Sequence, residues 1–321
     1  MTAARCNTWS LSRIPARWPR RRRGVTRADV VVVVVLVAIT AMLVVMAMTR
    51  GRENARLSFC TRNLSRIGIA ISLYDQLHGE LPATDITPPD QPASMGPPGP
   101  LKTLLRELDL PDFTELKDPH RRPKGHGRQV PGEIPIPGFT CPSDPDATSG
   151  RLPAPISFRA ATGDSPLGDN GPFAPGRTWS LAAIDQRDGI AYTAAFSERL
   201  VGAGEEAPET LRSYRIAAGP LTGSGCPAAS GPSGLRNDAG ASWVAGDYRS
   251  TLYNHTLTPN ARPSCIADDG RTAFMGASSG HVRGVNMLRL DGSVTLVVPT
   301  IAPKIWREYA AVSPPVPSAS P

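Results

Sequence analysis

The side chains with the most obvious chemical potential in this 321-residue chain lie in its last fifth. Gly276-Ala277-Ser278-Ser279-Gly280 matches the G-x-S-x-G pattern of a serine nucleophile, with His281 adjacent and Asp291 ten residues further on. A hydrolase elbow needs a strand before that serine and a helix after it, and its acid precedes its histidine in the chain. Here the downstream segment reads as a hairpin, and no histidine follows Asp291. No phosphate loop, dinucleotide fingerprint or His-Glu-x-x-His pattern is present either. No residue is therefore assigned a catalytic role, no cofactor is implied, and the chain reads as non-enzymatic.

Metal chemistry is not expected from the spacing of the ligand-type residues. His120 and His126 lie six apart in a basic loop with no cysteine or carboxylate pattern beside them, and zinc needs a defined ligand set. Asp144, Asp188 and Asp291 carry oxygen ligands of the kind calcium takes, but aspartate in loops usually serves its own turn. Of five cysteines, Cys6 precedes an apolar segment and Cys60, Cys141, Cys226 and Cys265 follow it. Four cysteines allow three disulfide connectivities, or some remain as buried thiols. Cys226 and Cys265 are the closest pair in sequence and the preferred disulfide candidates.

These residues need an element to place them outside the cytoplasm, and residues 30–48 supply it. The run is apolar apart from Thr40, and 19 residues of helix reach about 28 Å, the thickness of a bilayer core. In lipid a single segment can close its backbone hydrogen bonds only as a helix. Seven arginines and no acid occupy residues 1–24, whereas the other 28 basic residues match the 28 acidic ones. A nucleic-acid-binding domain would carry the +7 surplus in its folded part, so nucleic acid is excluded as a partner. The surplus instead holds the N-terminus on the cytoplasmic side of a single-pass anchor in the inner membrane. The larger C-terminal part then lies in the periplasm or outside the cell.

Beyond the span, Leu57, Cys60, Leu64, Ile67, Ile71 and Tyr74 are spaced 3, 4, 3, 4 and 3, one face of a continuing helix. Gly79 and Pro82 end it. The chain's 30 glycines and 34 prolines then favour loops and short strands. Asp291-Gly292 between residues 285–290 and 293–298 predicts a two-residue hairpin turn, pairing Arg289 with Val294, Met287 with Leu296 and Val285 with Val298. Gly280 and Gly284 around His281 allow a close approach of backbone before that strand.

The string Arg23-Gly24-Val25-Thr26-Arg27-Ala28-Asp29-Val30 resembles a type IV prepilin leader, with Val25 in place of phenylalanine and Arg27 in place of an apolar residue. The resemblance implies cleavage between Gly24 and Val25 by a prepilin peptidase and methylation of the new amine. It also implies that Asp29 pairs with the amine of a neighbouring subunit. Further strings follow in order: Cys60-Thr61-Arg62-Asn63-Leu64, Cys141-Pro142-Ser143-Asp144, Asp188-Gly189 with Ser197-Glu198, and His281 nine residues before Asp291-Gly292. Together, over residues 24–298, they resemble the prepilin-like family of domain of unknown function 1559, also called the H-x9-DG family. By that resemblance Cys60, Cys141, Asp188, Gly189, Glu198, His281, Asp291 and Gly292 are structural motif residues.

The expected fold is α+β: a long N-terminal transmembrane helix that continues outside the membrane and packs on an antiparallel, pilin-like sheet domain with loop-rich insertions. The expected divisions are a leader (1–24), helix (25–78), Pro/Gly-rich region (79–155), β-rich domain (156–303) and Pro/Ser tail (304–321). The implied role is a pilin- or pseudopilin-like envelope protein in a pilus-like or secretion-associated assembly, with the membrane and its own or similar subunits as partners. The alternative is a membrane-tethered binding protein for carbohydrate or peptide, using Trp179, Trp243, Tyr192 and Tyr248.

Overall fold

A computed structural model describes residues 26–86, 97–110, 134–204, 208–223, 225–227 and 234–312. Gly24 and Val25, the loop carrying His120 and His126, and the tail from Ser313 lie outside the described residues. Contacts divide the chain into two compact units, Met1–Arg50 and Gly51–Pro321. The helix α1 (Arg27–His78, 52 residues) contributes to both.

In the first unit α1 begins with a reciprocal cap. The Thr26 amide and hydroxyl donate to Asp29 Oδ2 at 3.0 and 2.8 Å, and the Asp29 amide donates to Thr26 Oγ1 at 3.2 Å. Every residue from 26 to 50 is exposed, including the whole valine-rich run. This is a helix long and apolar enough to cross a membrane.

In the second unit α1 buries one stripe: Cys60, Leu64, Ile67 and Ile71, with Leu57 and Tyr74 half-buried at its ends. Arg56, Arg62 and Arg66 stay exposed on the other side. The stripe joins the main core with Phe158, Phe196, Leu288 and Leu290. The 79–155 region is not a separate element, because Leu81, Leu101, Leu104 and Phe139 enter the same core. Within it, α2 (Pro100–Thr103) and a 3-10 turn (Pro137–Phe139) are short.

The first sheet contains β1 (Phe158–Ala161), β2 (Ala194–Glu198), β5 (Leu252–Tyr253), β8 (Val285–Arg289) and β9 (Val294–Val297), in the order β5-β1-β2-β8-β9. All its pairings are antiparallel except β1 with β5. The second sheet contains β3 (Tyr214–Ala217), β4 (Leu235–Arg236), β6 (Cys265–Ala267) and β7 (Ala273–Phe274), in the order β4-β3-β6-β7, with β3 and β6 parallel. The architecture is α+β, with the helix packed on a sheet domain.

The hairpin register differs from the predicted one by a single residue. Val285 pairs with Val297, Met287 with Thr295 and Leu288 with Val294. The turn holds three residues rather than two: Arg289 N–H donates to Ser293 O and Gly292 N–H to Arg289 O, and only Gly292 takes positive φ (+84°). A three-residue loop with glycine in the left-handed position is the next commonest solution. Leu290, the first residue of that loop, lies in the core. Leu288 and Leu290 then face the main core, while Val285, Met287 and Val297 face a second cluster with Trp306.

Trp306 lies on α4 (Pro303–Glu308), so the boundary predicted at residue 304 cuts through a packed helix. Composition alone hid it, because prolines flank the helix on both sides. Its indole stacks on His255 at 3.7 Å between ring centroids. His255 Nδ1 bonds Trp306 O at 2.6 Å and Nε2 bonds Tyr253 Oη at 2.9 Å. Burial drives the His255 imidazole down to about 3, outweighing the bond to Trp306 O. The unfolded chain therefore takes up a proton from about pH 6.5 downward that the folded head refuses until about pH 3. Stability contributed by neutral His255 is complete above pH 6.5 and falls by about 1.4 kcal/mol per unit below it. Urea unfolding between pH 7 and 4 should show this slope, and His255→Gln should flatten it.

At Gly68 the helix meets the hairpin: an added Cβ would stand 3.0 Å from Gly292 Cα and 3.1 Å from Leu288 Cδ1. Gly68→Leu should cost about 1–3 kcal/mol by overpacking, read as a lower urea midpoint.

Candidate functional site

Four of the motif residues converge, from four elements far apart in sequence. Cys60 comes from the buried stripe of α1. Cys141 follows the 3-10 turn, with its amide donating to Ser157 Oγ at 3.0 Å beside the start of β1. The following Pro142-Ser143-Asp144 closes a turn, Asp144 N–H to Cys141 O at 3.0 Å. Glu198 ends the central strand β2, opposite Phe158. His281 sits in the loop before β8.

Glycine makes that last approach possible. A Cβ at Gly280 would stand 2.1 Å from Ser143 O, and one at Gly284 would stand 2.0 Å from Val297 O. Ser279 braces the loop, its amide donating to Asn260 Oδ1 and its hydroxyl accepting from the His281 amide.

Cys60 Sγ, Cys141 Sγ, a Glu198 oxygen and a His281 ring nitrogen all lie within 4.8 Å of one another, and all four residues are buried. Cys60 Sγ–H donates to Cys141 Sγ at 2.8 Å, and both are free thiols. His281 Nε2 lies 3.5 Å from Cys141 Sγ and 3.3 Å from Glu198 Oε1. Its other nitrogen, Nδ1, meets Glu53 Oε1 at 2.6 Å. Glu53 also accepts from Ser143 Oγ at 3.2 Å and is the partly exposed member of the group. Glu198 accepts from the Asn286 amide at 2.9 Å and from its Nδ2 at 3.0 Å.

The electrostatics follow from this packing. Burial alone would lower the His281 imidazolium, but bonds to Cys141, Glu198 and Glu53 and the Glu198 charge raise it to about 11. Burial pushes the Glu198 carboxyl up, yet His281 and Asn286 bring it below its ordinary value. The Cys141 thiol is lowered by the bond from Cys60, against burial, with His281 adding to the effect. Cys60 is raised by donating to Cys141, by burial and by Glu198. The arrangement therefore stores an ion pair beside two thiols, and its donors are those a soft divalent cation takes.

The remaining motif residues lie elsewhere. Asp188 and Gly189 form the turn after α3 (Leu181–Asp185), with Gly189 at φ +81°. That turn meets the hairpin turn, through Leu290 N–H to Thr193 O and Asp291 N–H to Ile190 O. Asp291 is exposed and its Oδ1 accepts from Ser293 N–H. Ser278 is buried, accepting from Leu200 N–H at 3.1 Å, so Ser278, His281 and Asp291 each have separate work. Cys226 and Cys265 form a disulfide. Of the aromatic residues considered for ligand binding, Trp243 and Tyr248 are fully buried, and Trp179 lies between Arg177 and Arg187.

Glu53 escaped the sequence reading. Its signal was present, since it precedes Leu57 by four and Cys60 by seven and so extends the apolar stripe. A carboxylate on an otherwise apolar stripe is the kind of residue that needs a buried partner.

Removing the imidazole would leave Glu198 buried without its cation. His281→Ala should cost about 3–5 kcal/mol in urea unfolding of the full-length protein in detergent. The double variant His281→Ala/Glu198→Ala should cost less than the two single variants together, because they share one interaction.

A family model described as "Protein of unknown function (DUF1559)" matches residues 49–304. No curated protein and no solved structure matches the chain.

Proposed function

The chain belongs to the DUF1559 family, and from that premise we propose that it is a non-enzymatic, pilin-like envelope protein anchored in the inner membrane. The observation that carries this assignment is the division of α1. Its first part exposes an apolar run interrupted only by Thr40, and its later part is a core helix of the head. A soluble protein would not leave some twenty apolar side chains in water, whereas lipid covers them at no cost. The arginines ahead of the span keep the N-terminus cytoplasmic, and the head lies in the periplasm or beyond. A Cys226–Cys265 disulfide suits that oxidising side.

In this reading a prepilin peptidase cuts between Gly24 and Val25, and the α1 spans of several subunits associate in the membrane or in a filament. Asp29 has two competing partners. Within one chain it caps α1 through Thr26, and in an assembly it would turn to a neighbour's N-terminal amine. No chemistry on a substrate is invoked. Ser278 is spent on a backbone bond, and His281 on two carboxylates.

Two measurements on the full-length product test this. Cell fractionation should place it in membranes, released by detergent but not by alkaline wash. Mass spectrometry of the mature N-terminus should find methylated Val25. A freely soluble product would remove the anchor, and an intact Met1 in membranes would keep the anchor but remove pilin-type processing.

A further inference from the structure

We propose that Cys60, Cys141, Glu198 and His281 form a closed, four-coordinate site for a zinc-class divalent cation, with Glu53 as the positioning residue behind His281. The inference goes beyond the anchoring role and does not depend on it, since every donor belongs to the unit Gly51–Pro321.

Geometry is the first support. A tetrahedral site with arms of roughly 2.3 Å to sulfur and 2.0 Å to nitrogen or oxygen has ligand-to-ligand edges of about 3.3–3.8 Å. The Cys141 Sγ–His281 Nε2 distance is 3.5 Å and the His281 Nε2–Glu198 Oε1 distance is 3.3 Å. Of these three edges the sulfur pair, at 2.8 Å, is the one that must open, by about 1 Å, and the remaining edges lie within 4.8 Å.

The second support is how the histidine is held. Nδ1 contacts the Glu53 carboxylate at 2.6 Å, which turns Nε2 toward the two sulfurs and Glu198. A carboxylate behind a ligating imidazole is the usual outer-shell device of zinc sites, fixing tautomer and ring orientation. Glu198 is held in the same way by the Asn286 amide and side chain.

Donor chemistry narrows the ion. Two thiolates exclude magnesium and calcium, which take oxygen ligands, and favour zinc among common divalent ions. The alternative use of the cysteines is a disulfide, closing the sulfurs to about 2.05 Å. That would consume two of the four converging donors and leave His281 Nε2 and Glu198 to pair with each other alone. Zinc uses all four. On binding, Cys60 and Cys141 each release a thiol proton to solvent and His281 gives up its Nε2 proton, so the metal joins two thiolates, one carboxylate and a neutral imidazole.

The ion would tie α1 to the start of β1, the end of β2 and the loop before β8. The full-length protein, purified in detergent with reductant and without chelator, should carry one zinc per chain by elemental analysis. Cys60→Ser/Cys141→Ser should abolish it. Glu53→Gln should keep the stoichiometry but weaken Zn2+ affinity about 10–100-fold in chelator competition. Should the cysteine variant fail to fold, Co2+ loaded into the wild-type protein provides a separate readout. Thiolate-to-cobalt charge transfer with intense tetrahedral bands supports the site, and a weak octahedral spectrum overturns it. A Cys60–Cys141 crosslink in non-reducing peptide maps of protein isolated without reductant, or no zinc retained after Zn2+ loading, also overturns it.

Discussion

A carboxylate removed from water at the end of a central strand costs several kcal/mol unless charge and hydrogen bonds meet it on all sides. Glu198 is in that position, and much of the head is arranged to satisfy it. Asn286 reaches it from β8, and His281 from the loop before β8. Two glycines make that loop's path possible, because a side chain at either would collide with a neighbouring carbonyl. His281 in turn brings Glu53, so that helix, strand and loop meet through one chain of polar contacts. Hydrophobic burial is large here but non-directional, whereas this contact chain fixes which faces meet.

The helix α1 carries two different surfaces along one sequence. Through the first unit it carries apolar residues on all sides, which suits lipid and leaves no stripe to pack. From Gly51 onward it buries one stripe in the head, with Arg56, Arg62 and Arg66 exposed off it. Cys60 of the buried cluster and Glu53 lie on that second part, away from the exposed apolar run. The segment just after the Asp188-Gly189 turn meets the hairpin turn in a different part of the head, through backbone bonds to Ile190 and Thr193 and an Arg289 Nη1 bond to Ala191 O.

Where the pattern was periodic, it was legible. The stripe is buried from Cys60 to Ile71 and half-buried at Leu57 and Tyr74, because a helix converts sequence spacing directly into a face. The hairpin was found but its register was not. Asp-Gly suits both two- and three-residue turns, and the fold closes the longer one between Arg289 and Ser293, with Leu290 buried. Trp306 was assigned to a tail since six helical residues between prolines carry too little period to read. Glu53 was overlooked because one charge on a stripe looks like an exception until its partner, more than two hundred residues away, is in place.

By itself the sequence determined the apolar span, the charge ahead of it, the amphipathic continuation and the positions of the turns. All of these depend on neighbours a few residues away, where backbone geometry leaves little choice. Only the tertiary structure decided that Cys60, Cys141, Glu198 and His281 share one buried space, and that Glu53 orients the imidazole. Spacings of 81, 57 and 83 residues between successive members carry no geometric information. They acquire it when β2 is enclosed between β1 and β8 and α1 packs against the sheet.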